Sequence, residues 1–153
     1  MLNKDVIIHK IEKAFSDVKL EEGIGLWEAQ AIDDYASSKE QKIARQKDEK
    51  ENWKIFTAEI LNRCHSSLSF FDANGMRFHL PAFIISSLNS NVLDPLFHLT
   101  YLSTYKKKQL SALNYLQREA IITYLEWCLD EQEYEFEHND IQTALKLYWK
   151  NNT

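Results

Sequence analysis

A chain of 153 residues with a net charge of −5, three Gly and two Pro is long enough to bury roughly 70% of the surface its unfolded form exposes, so one domain, 1–153, is expected to stand without staples. The acidic balance weighs against nucleic-acid binding, which neutralises phosphates with Lys and Arg. No apolar run approaches the roughly 20 residues that span a bilayer, and the charged MLNKDVIIHKIEK start lacks the apolar core and cleavage site of a signal peptide, so a soluble, cytoplasmic protein that engages no membrane is expected.

The elements read mostly helical. Ile7, Ile11, Ala14 and Val18 lie on one stripe of a first helix from about Lys4 to Val18. Glu21 to Gly25 breaks it. A second helix, about Leu26 to Ser37, puts Leu26, Ala29, Ile32 or Asp33 and Ala36 on adjacent faces, with Trp27 and Tyr35 extending its apolar surface. The charged segment Ser38 to Lys54 reads as surface chain, helical or irregular. Asp48 and Glu51 have capping-box spacing and predict a short helix starting at Asp48. Trp53, Phe56, Ile60 and Cys64 continue a helical stripe.

The run FFDANGMRFHLPAF, Phe70 to Phe83, reads differently. Asp72-Ala73-Asn74-Gly75 offers the positive-φ positions of a tight turn, and Leu68 and Phe70 before it alternate like Met76, Phe78 and Leu80 after it. The pattern predicts a small hairpin around 68–80, with Pro81 as the first residue of a helix running to about Leu88. In such a strand Arg77 and His79 share the face opposite Met76, Phe78 and Leu80, in line with Asp72 or Asn74.

Asn91 to Tyr105 is ambiguous, because Asp94-Pro95 resembles a helix start while Leu99 to Tyr105 is rich enough in aromatic residues for an extended piece. The clearest helix spans about Leu116 to Asp130. Asn114 and Gln117 make a capping-box pair for it, and its wide apolar face marks it as the central helix. A last helix follows Asn139 and buries Ile141, Ala144, Leu145 and Tyr148. The expected class is mainly α (α+β), a single domain of about six helices with one small β-hairpin. Cys64 and Cys128 fall on apolar helix faces and read as buried free thiols of a reducing compartment.

Charge is placed unevenly. Asp130, Glu131, Glu133, Glu135, Glu137 and Asp140 follow one another without a Lys or Arg, so the other 17 of the 23 acids nearly balance the 18 bases. Interleaved with Tyr134 and Phe136, this stretch is either a solvated loop or an acidic, aromatic surface that steers a basic partner.

Motifs for chemistry are sparse. The five histidines form no H-x-x-x-H pair, and only Cys64 and His65 are adjacent, so no metal site or cofactor is expected. There is no G-x-S-x-G elbow and no glycine-rich phosphate loop. A polar cluster of Asp33, Asp34, Arg45, Asp48, Asp72, Arg77 and His79 remains, either gripping a ligand or pairing internally to lock the hairpin onto the helices.

Several of these residues carry a resemblance. LWEAQAIDDY (Leu26 to Tyr35), Arg45 with Asp48-Glu49 before Trp53, the D-A-x-G-x-R-F-x-L-P-A segment (Asp72, Ala73, Gly75, Arg77, Phe78, Leu80, Pro81, Ala82) and a helix with Leu113 and Gln117 resemble an uncharacterised family of small bacterial proteins catalogued as a domain of unknown function. The resemblance covers about Leu26 to Leu129 and implies no activity. Acidic bacterial proteins of this size are often toxin-neutralising partners, an analogy rather than a derivation. The expected function is a non-enzymatic protein-binding module, an immunity-type inhibitor covering a basic toxin domain through Asp130, Glu131, Glu133, Tyr134, Glu135, Phe136, Glu137 and Asp140, as a monomer or weak dimer. The competing reading is a small hydrolase or ligand-binding enzyme using the carboxylate and Arg cluster.

Overall fold

A computed structural model describes residues 2–151. The 1–153 domain reading includes Met1, Asn152 and Thr153, which lie outside the described residues. Asn3 caps α1 (Lys4–Ala14), accepting from the Val6 N–H at 3.0 Å, and Ile7 and Ile11 are buried. The helix stops short of Val18. Next come α2 (Leu26–Asp33) and α3 (Ser38–Gln46), the latter opened by a Ser37/Glu40 capping box. Short 3₁₀ turns at Trp53–Ile55 and His65–Ser69 flank α4 (Ala58–Arg63). The longest helix is α5 (Ala73–Leu88), followed by α6 (Leu96–Thr100), α7 (Thr104–Gln109) and α8 (Tyr115–Leu129). A 3₁₀ segment, Gln132–Glu137, leads into α9 (His138–Ala144), which continues as a π turn over Leu145–Trp149.

The expected hairpin is absent: the described residues hold nine α-helices and no strand. Asp72 is a helix N-cap, its carboxylate accepting from the Gly75 N–H at 2.9 Å, and Asn74-Gly75 lie in the first turn of α5. Met76, Phe78 and Leu80 are fully buried as expected, but so are His79, Phe83 and Ile84 between and beyond them, and Pro81 is buried too. A helix enclosed on all sides has no polar face to set a 3.6-residue period, so chance alternation reads as a strand. Pro81 stands inside α5 rather than at its start, which leaves the Arg77 carbonyl without its usual helical donor.

Eleven of the sixteen α5 residues are buried against nine of fifteen in α8, so α5 is the more enclosed axis of the core. Helix α1 packs on both α5 and α8, α2 on α3 and the His65–Ser69 turn, and α9 on α6 and α8. Buried polar groups tie these layers. The Trp53 indole donates to Phe15 O and the Trp149 indole to Leu99 O, each at 2.9 Å. Gln117, besides completing the capping box of α8, donates to Ala14 O at 3.3 Å and so joins α8 to the end of α1.

Three further expectations shift. No helix starts at Asp48, whose carboxylate serves another helix. The Leu99 to Tyr105 segment is the end of α6 and the start of α7, not an extended piece, with Ser103 capping α7. The last helix begins at His138 and leaves Tyr148 only half-buried. Cys64 and Cys128 are buried and free, and burial pushes the Cys64 thiol up to about 11.

Candidate functional site

Three of the expected polar residues converge on one short strap, residues 23–25, which joins α1 to α2. Helix α2 starts at Gly25, which has no side chain to cap it, and the cap comes from 23 residues downstream. One oxygen of Asp48 accepts from the Trp27 N–H at 2.6 Å and the other from Glu28 at 3.2 Å. A Cβ on Gly25 would overlap that carboxylate, so the close approach requires glycine. Asp48 is 7% exposed, and desolvation raises its pKa against the lowering effect of the two backbone donors. Arg45 donates to Gly23 O and Glu21 O and lies 3.5 Å from the Glu28 carboxylate. From the other side, Asp72 Oδ1 accepts from both Ile24 N–H and Gly75 N–H at 2.9 Å, and a Cβ on Gly75 would overlap Ile24 O.

Arg45, Asp48 and Asp72 are thus committed to backbone groups that the fold would otherwise leave unpaired. Asp33 and Asp34 stand apart. Asp34 follows the last turn of α2, exposed, with Gln30 Nε2 at 3.4 Å, and neither Asp pairs with Arg77. Arg77 instead donates to Asn74 Oδ1 at 3.1 Å and to Ala112 O at 3.5 Å. His79 is fully buried rather than sharing an open face with Arg77. Its Nδ1–H donates to Gly75 O at 2.7 Å, its ring stacks on Phe71 at 4.3 Å, and burial pulls its pKa down to about 4.

The acidic stretch forms the second constellation. Asp130 ends α8, and Glu133, Glu135 and Asp140 are exposed while Glu131 and Glu137 are half-buried. Phe136 is 90% exposed, whereas Tyr134 is 7% exposed and packs edge-on against Trp127. Tyr134 therefore holds the segment down and leaves its exposed aromatic surface to Phe136. His138 pins the segment from within: its Nε2–H reaches Cys128 O at 3.0 Å and Glu131 O at 3.1 Å, adding a donor to carbonyls at and just beyond the end of α8.

Tertiary structure adds a neighbour that the spacing in sequence hides. Phe136, Glu137 and Asp140 share a cleft of about 380 Å³ with Leu93, Asp94 and Phe97. Phe97 stacks on Tyr101 at 5.2 Å, and Leu93, Phe97 and Tyr101 are each more than half exposed. An exposed aromatic and aliphatic cluster thereby meets the acidic rim, although some 40 residues separate the two in the chain. Behind Phe97 lies a buried pair also missed in sequence, in which Lys106 Nζ donates to His98 Nδ1 at 2.6 Å. Desolvation lowers Lys106 to about 8, and desolvation with the Lys106 charge lowers His98 to about 3. The i, i+8 spacing across a turn carried no pattern by which to find it.

Among the described residues no three His, Cys, Asp or Glu side chains are placed to hold a metal ion, and no helix is long and apolar enough to cross a membrane. No curated protein and no solved structure matches the chain. A family described only as being of unknown function, DUF6714, matches residues 3–153, a wider span than the Leu26 to Leu129 on which the resemblance rested. On that match over nearly its whole length, the chain belongs to the DUF6714 family of unknown function.

Proposed function

We propose that the protein is a non-enzymatic binding module whose acidic, aromatic face takes a basic protein partner, in its specific form an immunity-type inhibitor of a basic toxin domain. The observation that carries the proposal is the meeting of Phe136, Phe97 and Leu93, all exposed, with Glu137 and Asp140 around one cleft, while Tyr101 stacks on Phe97 and Glu133 and Glu135 are exposed in the same acidic segment. Soluble proteins seldom expose neighbouring large apolar side chains without a use, and aromatic cores ringed by polar residues are the usual anatomy of a docking face. The negative rim favours a basic partner, accelerates encounter and makes the association salt-sensitive. Phe136 and the Phe97–Tyr101 stack supply buried contact area, and the carboxylates meet Lys or Arg of the partner.

The alternative reading, a hydrolase or ligand-binding enzyme built on the carboxylate and Arg cluster, draws less support because Arg45, Asp48 and Asp72 already serve backbone groups. The test compares baits. Wild-type protein and the triple variant Glu133→Lys, Glu135→Lys, Glu137→Lys are used to capture partners from lysate of the source organism at low and moderate salt, with stoichiometry read by mass spectrometry. One stoichiometric partner retained by wild type at low salt, and lost both in the variant and at moderate salt, is the expected result. A partner held equally by the variant would overturn the acidic-face reading.

A further inference from the structure

A second cleft, of about 470 Å³, opens between the start of α5 and helix α7, with Phe70, Phe71 and Asp72 on one wall and Tyr105, Lys108 and Gln109 on the other. It lies within the size range of small-molecule sites. Gln109 is 2% exposed, and its side-chain NH₂ donates to Leu68 O at 3.1 Å and Phe71 O at 2.8 Å. Only the NH₂ end of an amide can meet two carbonyls, so the orientation is settled and Oε1 faces away from both. That Oε1 is buried and has no partner among the described residues. Proteins seldom leave a buried acceptor orphaned, and a ligand donor is one way of filling it.

Its surroundings define what would fit. Asp72 commits Oδ1 to two backbone donors and leaves Oδ2 without a protein partner among the described residues. Lys108 is exposed and makes no ion pair among them. The Tyr105 hydroxyl donates to Ser69 O at 2.8 Å, which fixes its ring on the wall across from Phe70 and Phe71. The site therefore presents two acceptors, one cation and two aromatic rings, those of Phe70 and Tyr105.

We infer that this cleft binds a small aromatic molecule bearing N–H donors at one end and an anionic group at the other. The donors meet Gln109 Oε1 and Asp72 Oδ2, the ring lies against Phe70 and Tyr105, and the anion meets the Lys108 ammonium. A nucleoside monophosphate with an amino-substituted base has that chemistry, and tryptophan shares it through its indole N–H and its carboxylate. The inference stands apart from the acidic face, since the two clefts have no residue in common.

The test titrates the full chain, isotope-labelled for amide NMR, with adenosine monophosphate, with adenosine and with tryptophan, each to millimolar concentration. The expected result is saturable binding of adenosine monophosphate or of tryptophan, with shift changes concentrated in residues 70–74 and 105–111. Adenosine monophosphate binding tighter than adenosine identifies a nucleotide, and tryptophan binding alone identifies an amino acid. Lys108→Glu, on the exposed rim, is expected to weaken the bound probe about fivefold while leaving the spectrum folded. Absence of binding by all probes, shifts centred elsewhere, or unchanged affinity in Lys108→Glu would overturn the inference.

Discussion

Asp48 is a small residue with a large reach: its carboxylate closes the N-terminus of α2 from the far side of α3, and Gly25 exists to let it in. Removing an N-cap acceptor costs about 1–2 kcal/mol. Asp48→Ala is therefore expected to lower the urea midpoint by that stability, and Gly25→Ala to do at least as much, because the cap and the new Cβ compete for the same space. A Gly25→Ala midpoint equal to wild type would contradict the cap. His79 makes a second, pH-dependent statement. Its pKa falls from 6.5 unfolded to about 4 folded, so the unfolded chain binds more protons between those values. The stability contributed by the neutral, stacked ring is full above pH 6.5 and is lost as pH falls towards 4. The slope approaches about 1.4 kcal/mol per pH unit. His98 acts in the same direction, down to about 3. Urea midpoints measured from pH 7 to 5 should fall for wild type and fall less steeply for His79→Leu; parallel slopes would contradict a neutral His79.

Helix ends show where sequence reading succeeds. The Asn114/Gln117 box was legible because both halves lie three residues apart and the side chains close on backbone within one turn. The Asp48/Glu51 pair had the same spacing and failed, because a stronger, non-local use of Asp48 was available. Gln117 also bridges to Ala14, so Gln117→Ala is expected to destabilise the protein by more than Asn114→Ala, whose loss costs about 1 kcal/mol; thermal melts of the two variants check the order. The end of α2 carries strain of its own. Tyr35 sits at φ 58°, 96% exposed, with the Ala36 N–H closing back on Ala31 O. That left-handed position suits glycine, and nothing packs on the Tyr35 ring to offset its strain. Tyr35→Gly is expected to raise stability by about 0.5–1 kcal/mol, read as a higher melting temperature. The hairpin failed at this scale too. Asp-Ala-Asn-Gly serves a turn or a helix N-terminus equally, and only burial on every side of α5 decides between them.

At the scale of the whole molecule, the charge imbalance was plain in composition, but its meaning depends on what lies beside it. Reversing Glu133, Glu135 and Glu137 changes partly or wholly exposed side chains, so the fold should hold within about 0.5 kcal/mol while affinity for a basic partner drops about tenfold or more. Phe136→Ala should likewise spare the melting temperature and weaken the partner. Loss of folding in either variant would mean that the segment is structural. The mainly helical class, the Ile7 and Ile11 stripe of α1, the long α8 and the buried thiols could all be determined from the residues alone, since helical periodicity and burial of apolar groups are encoded in a few turns of chain. The direction in which Tyr134 and His138 turn, the joining of Phe97 to Phe136, the trans cap of Asp48 and the orphaned oxygen of Gln109 were decided only by tertiary structure. Each arises from a contact between distant segments, and such contacts leave no local period in the sequence to read.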